Sequence, residues 1–156
     1  MSESHIKKSI TSIKSEARLQ NITQGKLRKY VSENNQIILD GAHNPLAFSV
    51  IKKYLETLNK GRKIFLVLAM MSTKQHKECI KILKGKVHSI IALDIPNQTN
   101  FVKKEELSKI AKLCGISSKT ENSIESAFKN IAKENSDAII FCTGSLYFAA
   151  EILNLN

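Results

Sequence analysis

The stretch Gln36-Ile37-Ile38-Leu39-Asp40-Gly41-Ala42-His43-Asn44-Pro45 changes character part-way along. Residues 36–40 are a short, nearly continuous apolar run, which reads as a buried strand. Beyond Pro45 the apolar residues Leu46, Val50, Ile51, Tyr54, Leu55 and Leu58 recur at helical spacing. Asn44 is a good N-cap, and Pro45 suits the first helical position, where no backbone N–H is needed. Gly61 follows as a stop signal. The stretch is therefore a strand, a tight turn and a helix.

Downstream the same alternation repeats. Residues 63–69 and 87–93 read as strands, and a helix over 74–84 between them turns Ile80 and Leu83 inward and stops at Gly85. Residues 95–100 are turn-rich and read as a loop. A helix over 103–114 closes at Gly115, and residues 116–119 form a short strand. A helix over 122–135 carries Ile124, Ala127, Phe128 and Ile131 on one stripe. Residues 138–142 are the last strand, and Thr143-Gly144 turns into a helix over 145–153. Strands apolar throughout, separated by amphipathic helices, predict a parallel sheet covered on both faces. Right-handed crossovers then make it a doubly wound, mostly parallel α/β domain. No repeat of fixed period is visible. Upstream, residues 1–20 are rich in lysine and serine, with only Ile6, Ile10 and Ile13 on a helical stripe. They read as a polar leader or residual interdomain linker, and residues 21–156 as the domain.

A chain of 156 residues, 42% hydrophobic and 24% charged, is long enough for one ordinary core. No apolar run approaches the ~20 residues of a membrane span, and the N-terminus lacks the apolar block of a secretory signal. A cytoplasmic protein with no membrane partner is expected. Cys79, Cys114 and Cys142 are odd in number and widely spaced, which predicts buried free thiols. The formal net charge is +10, from 24 basic and 14 acidic residues. Lysines are scattered along the whole chain, with neither an arginine-rich block nor aromatics set among basic residues to stack bases. That pattern describes a solvated surface and weighs against nucleic acid.

Ligands of open α/β sheets bind beyond the carboxyl ends of the strands. Two turns lie there. In Asp40-Gly41-Ala42-His43-Asn44-Pro45, Asp40 ends a strand and His43 precedes a helix. On generic physics the turn is first a cap, with a surface histidine. The same carboxylate and imidazole can also hold a ribose hydroxyl, a phosphate or an amine. In Cys142-Thr143-Gly144-Ser145-Leu146-Tyr147, Ser145 is first an N-cap. Its hydroxyl and the free N–H groups of the helix start can also bind a carboxylate. Neither a phosphate loop G-x-x-x-x-G-K-[ST], a G-x-G-x-x-G fingerprint nor a G-x-S-x-G elbow occurs. His5, His76 and His88 are isolated, so no metal site is expected. The loop at residues 72–75, which includes Lys74, can also face a ligand.

These residues carry a resemblance. Leu39-Asp40-Gly41-Ala42-His43-Asn44-Pro45 resembles the L-D-G-A-H-N-P signature of folylpolyglutamate synthases and dihydrofolate synthases, relatives of the Mur ligases. Gly144-Ser145-Leu146-Tyr147-Phe148-Ala149 is similar to that family's G-S-L-Y-L-A ending. Ala17-Arg18-Leu19-Gln20 resembles the W-P-[AG]-R-L-Q stretch that opens the family's C-terminal domain, and residues 70–75 resemble its loop after the second strand. Two positions depart: Ser15 stands where the family usually has Trp, and Lys74-Gln75 where it often has Lys-Asp.

The resemblance implies a Mur-ligase-type, Rossmann-like C-terminal domain. It implies an ATP-dependent amide ligase in which folate or dihydropteroate is activated as an acyl phosphate and attacked by the amine of L-glutamate. ATP and magnesium would be held mainly by an N-terminal phosphate-loop domain absent from this chain, which makes a separate domain of that kind the expected partner. By the same likeness Asp40 and His43 are the catalytic candidates, beside the nucleotide. Arg18 would contact its phosphates or ribose, Ser145 would hold glutamate, and Lys74 would stand in a cleft loop. The isolated chain is expected to be inactive. Two alternatives remain beside it: an inactive remnant of such a ligase, and a basic nucleic-acid-binding module.

Overall fold

The computed structural model describes residues 17–58, 61–73 and 75–156. The isoleucine stripe expected in the leader lies outside the described residues. Six strands form one sheet: β1 (Gln20–Asn21), β2 (Gln36–Leu39), β3 (Ile64–Leu68), β4 (Ser89–Ala92), β5 (Ser118–Thr120) and β6 (Ile139–Thr143). Five helices accompany them: α1 (Pro45–Leu58), α2 (His76–Ile82), α3 (Lys104–Leu113), α4 (Ile124–Glu134) and α5 (Leu146–Leu155). A 3-10 turn covers Lys26–Tyr30.

The strand order is β1-β2-β6-β3-β4-β5. Every pair is parallel except β1 with β2 at one edge. The pleat divides the apolar strand residues into two cores. Ile38, Leu66, Leu68, Ile90 and Phe141 face α1, α2 and α3. Ile37, Leu39, Phe65, Val67, Ile140 and Cys142 face α4 and α5. This explains why the central strands read as unbroken apolar runs: both faces are covered. The chain winds from β2 through β3 and β4 to β5 with its helices on one face. It then returns through α4 on the other face to lay β6 between β2 and β3. That reversal puts the carboxyl ends of β2, β6 and β3 side by side, where a doubly wound sheet binds its ligands.

The four principal strands and all five helices lie within two residues of their expected ends. Three details differ. The short strand expected over 116–119 is β5 at Ser118–Thr120, because Ile116 turns into the core instead of pairing. The stripe expected on α1 is partly rotated: Phe48, Ile51 and Leu55 are buried, whereas Leu46 is 78% and Val50 57% exposed. Phe48, the bulkiest apolar residue near the helix start, fixes which side faces the sheet, and Leu46 and Val50 are left toward the ligand edge. The third difference is β1 together with the 3-10 turn, which no periodicity announced. Ala17, in the segment read as leader or linker, is buried in the core, and Gln20 pairs with Leu39. Among the described residues no helix is long and apolar enough to cross a membrane. Cys79, Cys114 and Cys142 are free and buried, as expected, and burial pushes the Cys79 thiol up to about 11.

Candidate active site

The turn after β2 is held from inside. Asp40 N–H donates to the Cys142 carbonyl at 3.0 Å, continuing the β2–β6 ladder by one step. Its carboxylate then folds back on the backbone. Oδ1 accepts the Ala42 N–H at 2.8 Å and Oδ2 accepts the Leu19 N–H at 3.0 Å. Burial raises the Asp40 pKa above its ordinary value, and this outweighs those two hydrogen bonds and the nearby charges of Arg18 and His43. Gly41 is small because α5 starts directly above it; a Cβ there would stand 2.5 Å from Leu146 Cδ2. His43 Nδ1 lies 3.0 Å from the Gly41 carbonyl, a contact that fits Nδ1–H as the donor and leaves Nε2 for a ligand. Asn44 caps α1, its Oδ1 accepting the Ala47 N–H at 2.9 Å.

The turn after β6 meets the first one. Gly144 N–H donates to the Ala42 carbonyl at 3.0 Å, and the buried Thr143 hydroxyl approaches the same oxygen at 3.4 Å. Ser145 is 2% exposed and caps α5, its Oγ accepting the Tyr147 N–H at 3.1 Å. Its own O–H proton is still free to be donated.

Arg18, Asp40 and His43 line one groove of about 460 Å³, walled by Val50, Ile51 and Leu146. His43 and Ser145 line an adjoining cleft of about 80 Å³ with Met71 and Tyr147. His43 thus belongs to both, and Arg18 is exposed at the groove. Lys74 lies outside the described residues. Sequence reasoning had not singled out Thr143, Leu146 or Val50. Leu146 and Thr143 stand in the second turn motif, so the signal was present there. Val50 gave none, since its spacing marked it for the core. Among the described residues, no three His, Cys, Asp or Glu side chains cluster to hold a metal ion. Asp40, the acid nearest the groove, already accepts two backbone N–H bonds. The described residues therefore do not offer a magnesium site.

Residues 23–155 match the family described as dihydrofolate synthetase, C-terminal domain. The chain belongs to that family. Its fold recurs in solved ligases. Escherichia coli FolC in complex with DHPP and ADP aligns with a TM-score of 0.70 at 18% identity, over 90% of this chain and 31% of that one. Mycobacterium tuberculosis folylpolyglutamate synthase complexed with ADP gives 0.72 at 18%, over 89% and 32%. The bifunctional folylpolyglutamate synthase/dihydrofolate synthase with Mn, AMPPNP and L-glutamate bound gives 0.70 at 20%, over 88% and 30%. At these identities the likeness is one of fold. The chain spans about a third of the length of the solved proteins it matches. A search of curated protein sequences gave no match.

Proposed function

We propose that this chain is the C-terminal part of an ATP-dependent amide ligase that adds L-glutamate to dihydropteroate or folate through an acyl phosphate. The observation that carries the reading is the junction of the two turns. The Ala42 carbonyl, bonded by Gly144 and close to the Thr143 hydroxyl, seats His43 and Ser145 on one cleft, beside the groove that holds Arg18 and Asp40. ADP, AMPPNP, DHPP, L-glutamate and Mn accompany the solved relatives. The phosphates and the metal would be held by a separate phosphate-loop domain docked at this edge, in the cytoplasm.

The groups on this chain then have positioning and electrostatic work. Arg18 supplies a permanent cation for nucleotide phosphate. His43, held through Nδ1, presents Nε2 at a fixed place between groove and cleft. Ser145 donates its hydroxyl proton to the glutamate carboxylate, helped by the N-terminal end of α5. None of them is a covalent nucleophile.

A second reading, a folded remnant without turnover, draws on Ser15 and Gln75, where the family usually has Trp and often Asp. The test is ATP- and glutamate-dependent ADP release with a folate or dihydropteroate acceptor, for the chain alone and mixed with a phosphate-loop domain from the same source. Turnover only in the mixture, reduced about 100-fold or more by His43→Ala, is the expected result. No turnover from two well-folded proteins would overturn the ligase reading in favour of the remnant.

A further inference from the structure

The edge strand β1 runs antiparallel to β2, with Gln20 opposite Leu39 and Asn21 opposite Ile38. Ile22 N–H extends the pairing to the Ile37 carbonyl at 2.9 Å. Continued in register toward the site, this ladder would set Arg18 opposite Gly41. It does not. Gly41 N–H reaches the Ala17 carbonyl instead, at 2.9 Å. One extra residue therefore sits on the outer strand, the signature of a β-bulge. The backbone shows where it is accommodated: Leu19 has φ +47°, in the left-handed region that a leucine rarely occupies. Its N–H, which in an unbroken antiparallel pair would point away from β2, is taken up by the Asp40 carboxylate at 3.0 Å.

We infer that Leu19 is a positioning residue: its bulge, clamped by Asp40, turns Arg18 out of the edge strand and into the groove beside His43. Bulges next to sites commonly re-aim one side chain, and a non-glycine residue stays left-handed only where its surroundings hold it there. Here the hold is a charge-assisted hydrogen bond. The carboxylate has a second tie to Ala42 N–H, so one side chain locks the Arg18 segment to the turn that carries His43. In unbroken register, opposite Gly41, Arg18 would fall on the same face as Gln20, by the alternation of a strand. The inference depends on the ligase reading only for what Arg18 meets; the clamp itself can be tested without nucleotide.

Two measurements on the whole chain test it. The first is amide hydrogen exchange in the wild type and in Asp40→Asn. Exchange at Leu19 should quicken about tenfold or more in the variant, while Ile38 and Leu39 stay protected. A Leu19 amide that exchanges at the same rate in both proteins would overturn the clamp. The second covers the case in which Asp40→Asn loosens the whole sheet edge. A spin label is placed on Arg18→Cys, the native cysteines being buried. It should broaden the resonances of His43 and Val50, and Leu19→Pro, which cannot take a positive φ and has no N–H for Asp40, should abolish that broadening while Ile38 and Ile140 keep their shifts. Broadening that survives the substitution would mean the bulge does not aim residue 18. Neither readout involves turnover, so failure here is separate from failure of the ligase reading.

Discussion

At residue 144 a side chain has no room. Gly144 has φ +119°, and a Cβ built on it would lie 2.3 Å from the Ala69 carbonyl oxygen and 2.8 Å from Leu68 Cδ1. The first of these is backbone in the central strand layer and cannot step aside. Gly144→Ala is therefore expected to cost about 2–4 kcal/mol, the sum of left-handed strain and a forced shift of the loop. Urea unfolding of the pair of proteins measures it; a loss below about 0.5 kcal/mol would contradict the close approach. Asp40 makes a prediction of a different kind. Its folded pKa is raised above the ordinary 3.8, chiefly by burial. The folded state then holds this proton more tightly than the unfolded chain does. Linkage fixes the sign: the group's contribution is fully present below its unfolded pKa and is lost as pH rises through the raised folded value. The stability difference between wild type and Asp40→Asn should fall as pH rises across that window and level off above it. Unfolding curves at stepped pH check this, and a difference that grows with pH would mean the carboxylate is held by its partners more strongly than burial penalises it.

The elements were legible where packing and local chemistry agree. The stretch 122–135 illustrates this. Its stripe of Ile124, Ala127, Phe128 and Ile131 is buried in the structure, and the helix opens with a capping box. Ser123 Oγ accepts the Ser126 N–H at 3.0 Å, and Ser126 Oγ accepts the Ser123 N–H at 3.2 Å. Ser123→Ala should cost about 1 kcal/mol, readable as a shift of the urea midpoint with unchanged slope. The failures were of two kinds. The edge strand β1 is only Gln20–Asn21, too short to write a period of two. It exists because β2 offers it a ladder, a tertiary fact absent from its own residues. On α1 the apolar residues are too many for one stripe, so periodicity could not choose between Phe48–Ile51–Leu55 and Leu46–Val50. The site divided in the same way. Asp40, His43 and Ser145 stand in compact local motifs and were visible as such. The clamp between Asp40 and Leu19 spans two strands and a slip of register, and no local pattern encodes it.

On the scale of the whole molecule, the open question is what a net charge of +10 does. The doubly wound sheet settles how that charge is laid out. Because helices cover both faces, their polar sides carry lysines in several directions. Lys52 and Lys53 lie on α1, Lys77 and Lys81 on α2, Lys109 and Lys112 on α3, and Lys129 and Lys133 on α4. Some are neutralised locally, as Lys86 is by Glu56 at 3.0 Å and Lys119 by Glu134 at 3.1 Å. A nucleic-acid reader concentrates cations along one groove-sized track and adds groups that contact bases. A charge spread over several helices can attract a polyanion from many directions without seating it. Any affinity for duplex DNA should then be the same for two unrelated sequences. It should also fall about 10- to 1,000-fold as salt rises from about 50 to 200 mM, the mark of released counterions. Fluorescence anisotropy with both duplexes over that range makes the measurement. A preference for one duplex, or binding that survives the higher salt, would show a seat for nucleic acid that scattered lysines cannot build. It would bring back the basic-module reading at the expense of the ligase half.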